Sequence, residues 1–556
     1  MLKRLLALAL AGALALSMVA CGTPAAPAPS EGGEATGPKT TFKYSELSEI
    51  PTLDPQLANS VPSNTAILHI QEPLVRMYNG VLEPGAAESW EISEDGLTYT
   101  FHLRDMTWSD GQPVTAGDFE YGIKRLVDPN TASPYGWFAC YIKNGSPCNS
   151  GELPLEELGV KAIDDKTLEI TLEYVADYFL QVVSNACYAA TRQDLVEQYG
   201  QDFAAAADKN AYTGPFVVKE IKTGDRVILE KNANYWNADQ TKLETVEIIV
   251  VANANTAVDM YNAGDLDYVQ VPSELKDIYA DQIKEFFDGS NDFLRVKQND
   301  PNVPTHNKDL RLAINYAINR AEFITLTSND VYAANPRYVL PQVAGVEKTY
   351  GEEYPYEAYP VNGDADKAKA HLDAALAALG CEASDITLEL LTTDSEGSKK
   401  QAEVLQQQIQ SVLGINIVIK QVPYKDRLKM ESERDFELVF TGWAPDYSDP
   451  YTYLELQIAD AYYNYGGYNL DFEGNVIENE FDKNMAFAAT TSDKQARMDA
   501  LFAAEKQLLE DGGIVPLLLR RVLYMQNENL EGLALYFLGA RIDFTRAYWA
   551  EYFLTL

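Results

Sequence analysis

The sequence predicts a mixed α/β protein of several domains, and three observations carry that expectation. Residues 98–103 and 165–172 alternate polar and apolar side chains in strand fashion. Later segments carry apolar residues at three- and four-residue spacings instead, as Leu310, Ala313, Ile314, Ala317 and Ile318 do. The length, 556 residues, supplies a sizeable core and, at roughly 150 residues per domain, two to four domains.

The first element in chain order is an address. Residues 1–20 open with Lys3 and Arg4, run apolar through residues 5–16 and end in Ser17-Met18-Val19-Ala20, the pattern of a secretory signal peptide. That apolar run is too short for the ~20 residues a membrane-spanning helix needs. Met18-Val19-Ala20-Cys21 resembles a bacterial lipobox, which makes Cys21 the acylated first residue of the mature chain. Residues 21–40, rich in Ala, Pro, Gly, Ser and Thr without apolar periodicity, read as a flexible tether.

Beyond the tether, composition narrows the function. With 44 basic against 83 acidic side chains the formal charge is −39, a field that repels nucleic acid and anionic lipid headgroups. No later segment offers the ~18 consecutive apolar residues of a membrane span. Of the remaining cysteines, Cys140 and Cys148 are spaced so that a disulfide is permitted in an oxidising compartment. The four histidines, His69, His102, His306 and His371, lack metal-ligand spacing, so neither a metal nor a cofactor is expected.

Along the folded part, residues 98–103 form a strand, followed by a turn at Ser109-Asp110-Gly111 and a helix from about Thr115, whose side chain caps it ahead of Asp118. A strand follows at 165–172, and then a strand-rich region covers 216–230, opened by Gly214-Pro215, and 246–252. Helices are expected at 308–321, 366–379 and 400–413, the last ended by Gly414 and followed by a strand alternating through Ile415, Ile417 and Ile419. Catalytic signatures are missing: no Gly-x-Ser-x-Gly elbow, no His-Glu-x-x-His and no phosphate loop occur. An enzyme is not expected.

Residues 85–104, with Glu88-Ser89-Trp90-Glu91-Ile92-Ser93 at their centre, and then Trp108-Ser109-Asp110-Gly111-Gln112-Pro113-Val114-Thr115-Ala116-Gly117-Asp118-Phe119, closely resemble the signature of the peptide-binding proteins of ABC importers. These form the dipeptide, oligopeptide and nickel-binding group of extracellular solute-binding protein family 5. Four further blocks agree in order: Ser48-Glu49-Ile50-Pro51-Thr52-Leu53-Asp54-Pro55, Thr213-Gly214-Pro215-Phe216, residues 309–320, and Gly442-Trp443-Ala444-Pro445-Asp446-Tyr447-Ser448-Asp449-Pro450. The resemblance covers everything after the tether and is strongest to the oligopeptide-binding branch.

It implies a two-lobed, periplasmic-binding-protein-like clamp of class II type with a small inserted α+β domain. Lobe I would comprise residues 41–70, 195–296 and 515–556, the inserted domain 71–194 and lobe II 297–514. An extended oligopeptide would lie between the lobes, and a monomeric receptor, held outside the cell membrane by lipidated Cys21, would deliver it to permease and ATPase subunits. Backbone hydrogen bonds then give sequence-independent affinity, while hydrated pockets admit varied side chains.

By the same resemblance Asp446 matches the aspartate that binds the peptide's amino group, a charge too costly to bury unpaired. Trp443 matches a pocket-lining tryptophan and Tyr135 a tyrosine reaching the ligand from the small domain. Glu49 and Ile50 fall in the strand that pairs with the ligand backbone, and Gly442 and Ala444 flank it from the other lobe. The chain departs from the family where Ile514-Val515-Pro516 is followed by Leu517-Leu518-Leu519-Arg520, which puts the pocket lining on that side in question. A second reading stays open: a receptor of the same fold for an oligosaccharide, a dipeptide or a metal chelate, served by the aromatic run Tyr462-Tyr463-Asn464-Tyr465-Gly466-Gly467-Tyr468.

Overall fold

The computed structural model describes residues 39–550. The expected signal peptide, Cys21 and nearly all of the tether lie outside the described residues. Residues 40–550 form one compact unit built on an 11-stranded mixed sheet.

The sheet runs from one lobe into the other. On one side Asn416–Val422, Thr387–Thr393 and Leu438–Trp443 lie in succession, and on the other Tyr268–Val271, Thr41–Glu46, Thr245–Val250, Arg226–Lys231 and Phe216–Lys222. Between them stand two strands of 13 residues, Lys284–Val296 and Ile514–Gln526, paired antiparallel with each other. Their outer partners change along their length. Asn291 to Val296 pair with Leu438–Trp443, whereas Leu523 to Gln526 pair with Tyr268–Val271. A register shift between Phe287 and Asn291 separates the two regimes. The sheet therefore passes from lobe to lobe near residues 288–290 and 519–521, inside the boundaries expected at 296 and 515. Alternation alone cannot reveal this, because both strands continue through the crossing.

Separate apolar clusters fill the lobes. Phe42, Tyr44, Val246, Ile248 and Phe544 centre one, and Leu294, Leu310, Ile314, Leu390 and Leu405 the other. A four-stranded antiparallel sheet, in the order Ala87–Ile92, Thr98–Leu103, Thr167–Thr171, Val160–Asp164, forms the small α+β part. Helix Ala116–Val127 packs on it and begins with the capping box of Thr115 and Asp118. The Trp108 indole, almost wholly buried, donates to the same Asp118 carboxylate at 3.4 Å, so the sequence block that carried the family resemblance is a helix start locked to a core tryptophan.

Local expectations hold with two corrections. The helix expected over 308–321 is two helices, Lys308–Ala317 and Arg320–Ser328. Asn319 between them turns to the extended region and caps the second by accepting from Glu322 N–H, a local bond that competes with continued helix. The permitted disulfide is not formed. Cys140 and Cys148 are free thiols, and Cys148 Sγ instead donates to the Pro154 carbonyl at 3.4 Å. Among the described residues no helix is long and apolar enough to cross a membrane.

At the crossing, Gly289 has φ +77°, a Cβ there would lie 2.6 Å from Phe537 Cβ, and its carbonyl accepts from the Tyr453 hydroxyl at 3.0 Å. Gly289→Ala should therefore destabilise the protein by about 1–3 kcal/mol in denaturant titration, through backbone strain and overpacking together. An unchanged unfolding midpoint would contradict it.

Candidate functional site

Strand Leu438–Trp443 buries Leu438, Val439 and Phe440 and brings its last residues into the cleft between the lobes. Gly442 is required there. A Cβ would lie 2.2 Å from Asp292 Oδ1 and 2.7 Å from the Asn291 carbonyl oxygen. The room left to Asp292 is used for a bidentate pair, with Arg520 Nε donating to Oδ2 at 2.9 Å and Nη2 to Oδ1 at 2.7 Å. Burial lifts the Asp292 pKa above its ordinary value, and Arg520 opposes that rise.

Past Trp443 the chain turns, and Asp449 fixes the turn by accepting from Tyr451 N–H at 2.9 Å and from both Arg497 Nη atoms. This arrangement presents Asp446. Its N–H donates to Thr452 Oγ1 at 3.2 Å, and its Oδ1 accepts from the Tyr135 hydroxyl at 3.2 Å. Its Oδ2 is shielded from water and has no hydrogen-bond partner, and the Trp443 Nε1 donor nearby in sequence is likewise unpaired. Burial pushes the Asp446 pKa up to about 7, against the lowering effect of Tyr135. Burial, with the Asp446 charge, holds the Tyr135 phenol well above its usual range.

Around this carboxyl the inserted domain and the segment after Trp443 are tied together. Tyr447 Oη donates to Glu455 Oε1 at 2.6 Å and Tyr141 Oη to Oε2 at 2.8 Å, and the Tyr178 and Tyr447 rings stack at 4.2 Å. Ser448 N–H donates to Gln181 Oε1 at 2.7 Å. Burial pushes Glu455 up to about 8, against the lowering effect of the hydrogen bonds from Tyr447 and Tyr141.

Two chambers open between the lobes. One of about 520 Å³ is lined by Tyr135, Trp443, Asp446, Tyr462, Tyr463 and Tyr465, with Leu68, Met77 and Phe537 facing them. The other, about 1240 Å³, has a wall that includes Asn253, Thr327, Thr392, Ser398 and Arg520. Both are lined by Gly442, Trp443, Ala444 and Arg541.

Of the residues singled out from sequence, Asp446, Trp443, Tyr135, Gly442 and Ala444 thus come together on the smaller chamber. Glu49 and Ile50 do not join them. The first strand ends at Glu46, Glu49 is exposed in irregular chain before Pro51, and Ile50 packs on the core of its own lobe. Leu47 and Val61 reach the cleft from that side instead. Leu517 and Leu518, where the sequence departs from the family pattern, are core residues and line neither chamber. The aromatic run contributes Tyr462, Tyr463 and Tyr465, with the Trp443 and Tyr463 rings in edge contact at 5.3 Å. Sequence reasoning missed Arg295, Arg427 and Glu431, which also line the smaller chamber and which no motif joins. Among the described residues no group of three or more His, Cys, Asp or Glu side chains is placed to hold a metal ion.

The raised Asp446 pKa has a definite sign in stability. Its folded value of about 7 lies above the ordinary 3.8, so its contribution is fully present below that lower value and is lost as pH climbs through the upper one. Asp446→Asn removes this dependence. In denaturant titrations without ligand, the variant's stability relative to the native protein should rise between pH 4 and 7 and level off above. A pH-independent difference would contradict the assignment.

Residues 81–464 match the family described as bacterial extracellular solute-binding proteins, family 5. The oligopeptide-binding protein OppA of Bacillus subtilis is 30% identical, with 93% of this chain and 94% of that protein covered. The dipeptide-binding protein DppE of the same organism is 28% identical, with 96% of each covered. The substrate-binding domain of an oligopeptide ABC transporter from Bacillus anthracis superposes with a TM-score of 0.82 at 32% identity, over 92% of this chain and 99% of that one. OppA of Listeria monocytogenes bound to peptide gives a TM-score of 0.82 at 28% identity, with the same coverage. With its two lobes and inserted domain, this chain belongs to family 5 of the bacterial extracellular solute-binding proteins.

Proposed function

We propose that this protein is an extracytoplasmic receptor that captures peptides by their free amino end between its lobes and delivers them to an ABC transporter. The observation that carries the reading is the Asp446 carboxyl, one oxygen held by Tyr135 and the other shielded and unpaired. Such a group is costly as it stands, and a ligand ammonium relieves it by supplying both the counter-charge and the missing donor. The unpaired Trp443 indole N–H offers a matching donor to a ligand carbonyl. Similarity to proteins named for binding oligopeptides and dipeptides supports the same reading.

No bond in the ligand is broken in this scheme. The receptor acts as a monomer, with Cys21 as its lipidated anchor and residues 21–40 as the tether to the membrane surface. Lobe I is read as residues 41–70, 195–287 and 521–556, the inserted domain as 71–194 and lobe II as 291–519, with the boundaries drawn where strand partners change. The aromatic wall of Tyr462, Tyr463, Tyr465 and Trp443 gives a sugar-binding receptor its one foothold, since such rings stack on a pyranose as readily as on a side chain.

Native mass spectrometry of the gently purified protein should reveal a distribution of bound masses that fragment as short peptides. Asp446→Ala should weaken binding of those peptides by about 100-fold or more, as should acetylation of their amino end, because each leaves one member of a buried charge pair alone. A single sugar mass, indifferent to the substitution, would overturn the proposal.

A further inference from the structure

The smaller chamber has a second charged feature, which the amine-binding role of Asp446 does not use. Arg295, on strand Lys284–Val296, donates from Nε to Glu431 Oε1 at 3.1 Å and from Nη1 to the Tyr463 carbonyl at 2.7 Å. Arg427 and Glu431 sit one turn apart on helix Tyr424–Ser432. Arg427 Nη1 donates to Glu431 Oε2 at 2.6 Å and to Thr441 Oγ1 at 2.9 Å. All three side chains are at most 7% exposed, and all three line the chamber.

The charges do not balance. Two guanidinium groups, which stay protonated in proteins, share one carboxylate. The other charged side chains on the chamber wall do not correct this. Arg541 is occupied by Asp288 at 3.4 Å, and Lys429 is an exposed cation beside Glu433. The remaining one, Asp446, has the amine-binding place described above. Nor are the donors used up: Arg427 Nε and Nη2 and Arg295 Nη2 donate no hydrogen bond to the protein among the described residues, although the two guanidinium groups lie over the Tyr424 and Tyr465 rings at 5.3 and 5.4 Å. A largely buried excess cation whose free, forked N–H groups border a cavity is suited to a carboxylate, which supplies the counter-charge and accepts those N–H groups in place of water.

We infer that Arg427 and Arg295, held by Glu431, form a carboxylate-accepting subsite in the same chamber as Asp446, so that the receptor favours peptides carrying a carboxylate close to their free amino end. This rests on the peptide reading above. The carboxylate is either an Asp or Glu side chain within the first residues or the terminal carboxylate of a di- or tripeptide. A chamber of about 520 Å³ lies in the range of small-ligand sites, which suits a ligand whose two charged ends both fall inside it. Glu431 acts as a positioning residue: it cancels one positive charge and fixes both forks while leaving the net charge that attracts the ligand.

Calorimetric titration of the full chain with matched peptides tests this. Tripeptide amides of Ala with one Glu at the first, second or third position are compared with the same peptides carrying Gln, and di- and trialanine are compared with their amides. Expected is a preference of about tenfold or more for the carboxylate in at least one pair, the strength of a charge-assisted hydrogen bond. The Glu/Gln pairs report a side-chain source and the acid/amide pairs a terminal one. Arg427→Gln should cut that ratio to about threefold or less, since it removes the excess charge. Arg427→Lys, which keeps a cation but not the fork, should give an intermediate ratio, and it carries the test if the Gln variant loses its cooperative melting transition. A native protein that binds every peptide without regard to the carboxylate, or variants that leave the ratio unchanged, would overturn the inference while leaving the peptide reading intact. Binding of none of these peptides, together with the absence of any peptide in the native mass spectrum, would sink both.

Discussion

A carboxyl group withdrawn from water must be compensated, and Asp446 is compensated by half. One oxygen is satisfied by Tyr135 from the inserted domain, and the other waits in the cleft. The rest of the site can be understood as what holds that group in place at tolerable cost. The Asp449 turn with Arg497 fixes the backbone, Thr452 takes the Asp446 N–H, and the Tyr141, Tyr447 and Glu455 cluster presses the inserted domain against the same segment. Each of these supporting side chains is itself hydrogen-bonded, so the unmet Asp446 oxygen and the unpaired Trp443 indole N–H beside it stand out against them.

The sheet explains why the shortfall sits between the lobes. Strand Leu438–Trp443 pairs with only one end of Lys284–Val296, so its last residues emerge where the sheet passes from one lobe to the other. Gly442 leaves room beside that strand end for the buried Asp292 carboxylate, which pairs with the part-exposed Arg520 on the wall of the larger chamber. Two chambers result, the smaller lined by aromatic rings together with Asp446, Arg295, Arg427 and Glu431, the other larger and rich in hydroxyl and amide groups.

How much of this the sequence discloses depends on the distance over which a residue's role is decided. Helix Ala116–Val127 was legible because Thr115, Asp118 and Trp108 lie within about ten positions and specify one another locally. That Asp446, Trp443 and Gly442 share one chamber wall follows from the contiguous block that carries them. The break at Asn319 was missed because the apolar spacing continues across it while a single side-chain cap interrupts the backbone. The pairing of Arg295 with Glu431, 136 positions apart, leaves no trace in either neighbourhood, and neither does the register shift at residues 287–291. Glu49 and Ile50 mark the opposite error: a block that aligns well in sequence still ends its strand three residues early.

The two long central strands also set the mechanics of the molecule. They are hydrogen-bonded to each other on both sides of the shift at residues 287–291, and each is pinned to different neighbours beyond it. Sliding one lobe past the other would shear both ladders at once, whereas bending about the unpaired stretch breaks none of them. The lobes are therefore coupled like two leaves on a single pin: rotation is the soft coordinate and translation the stiff one.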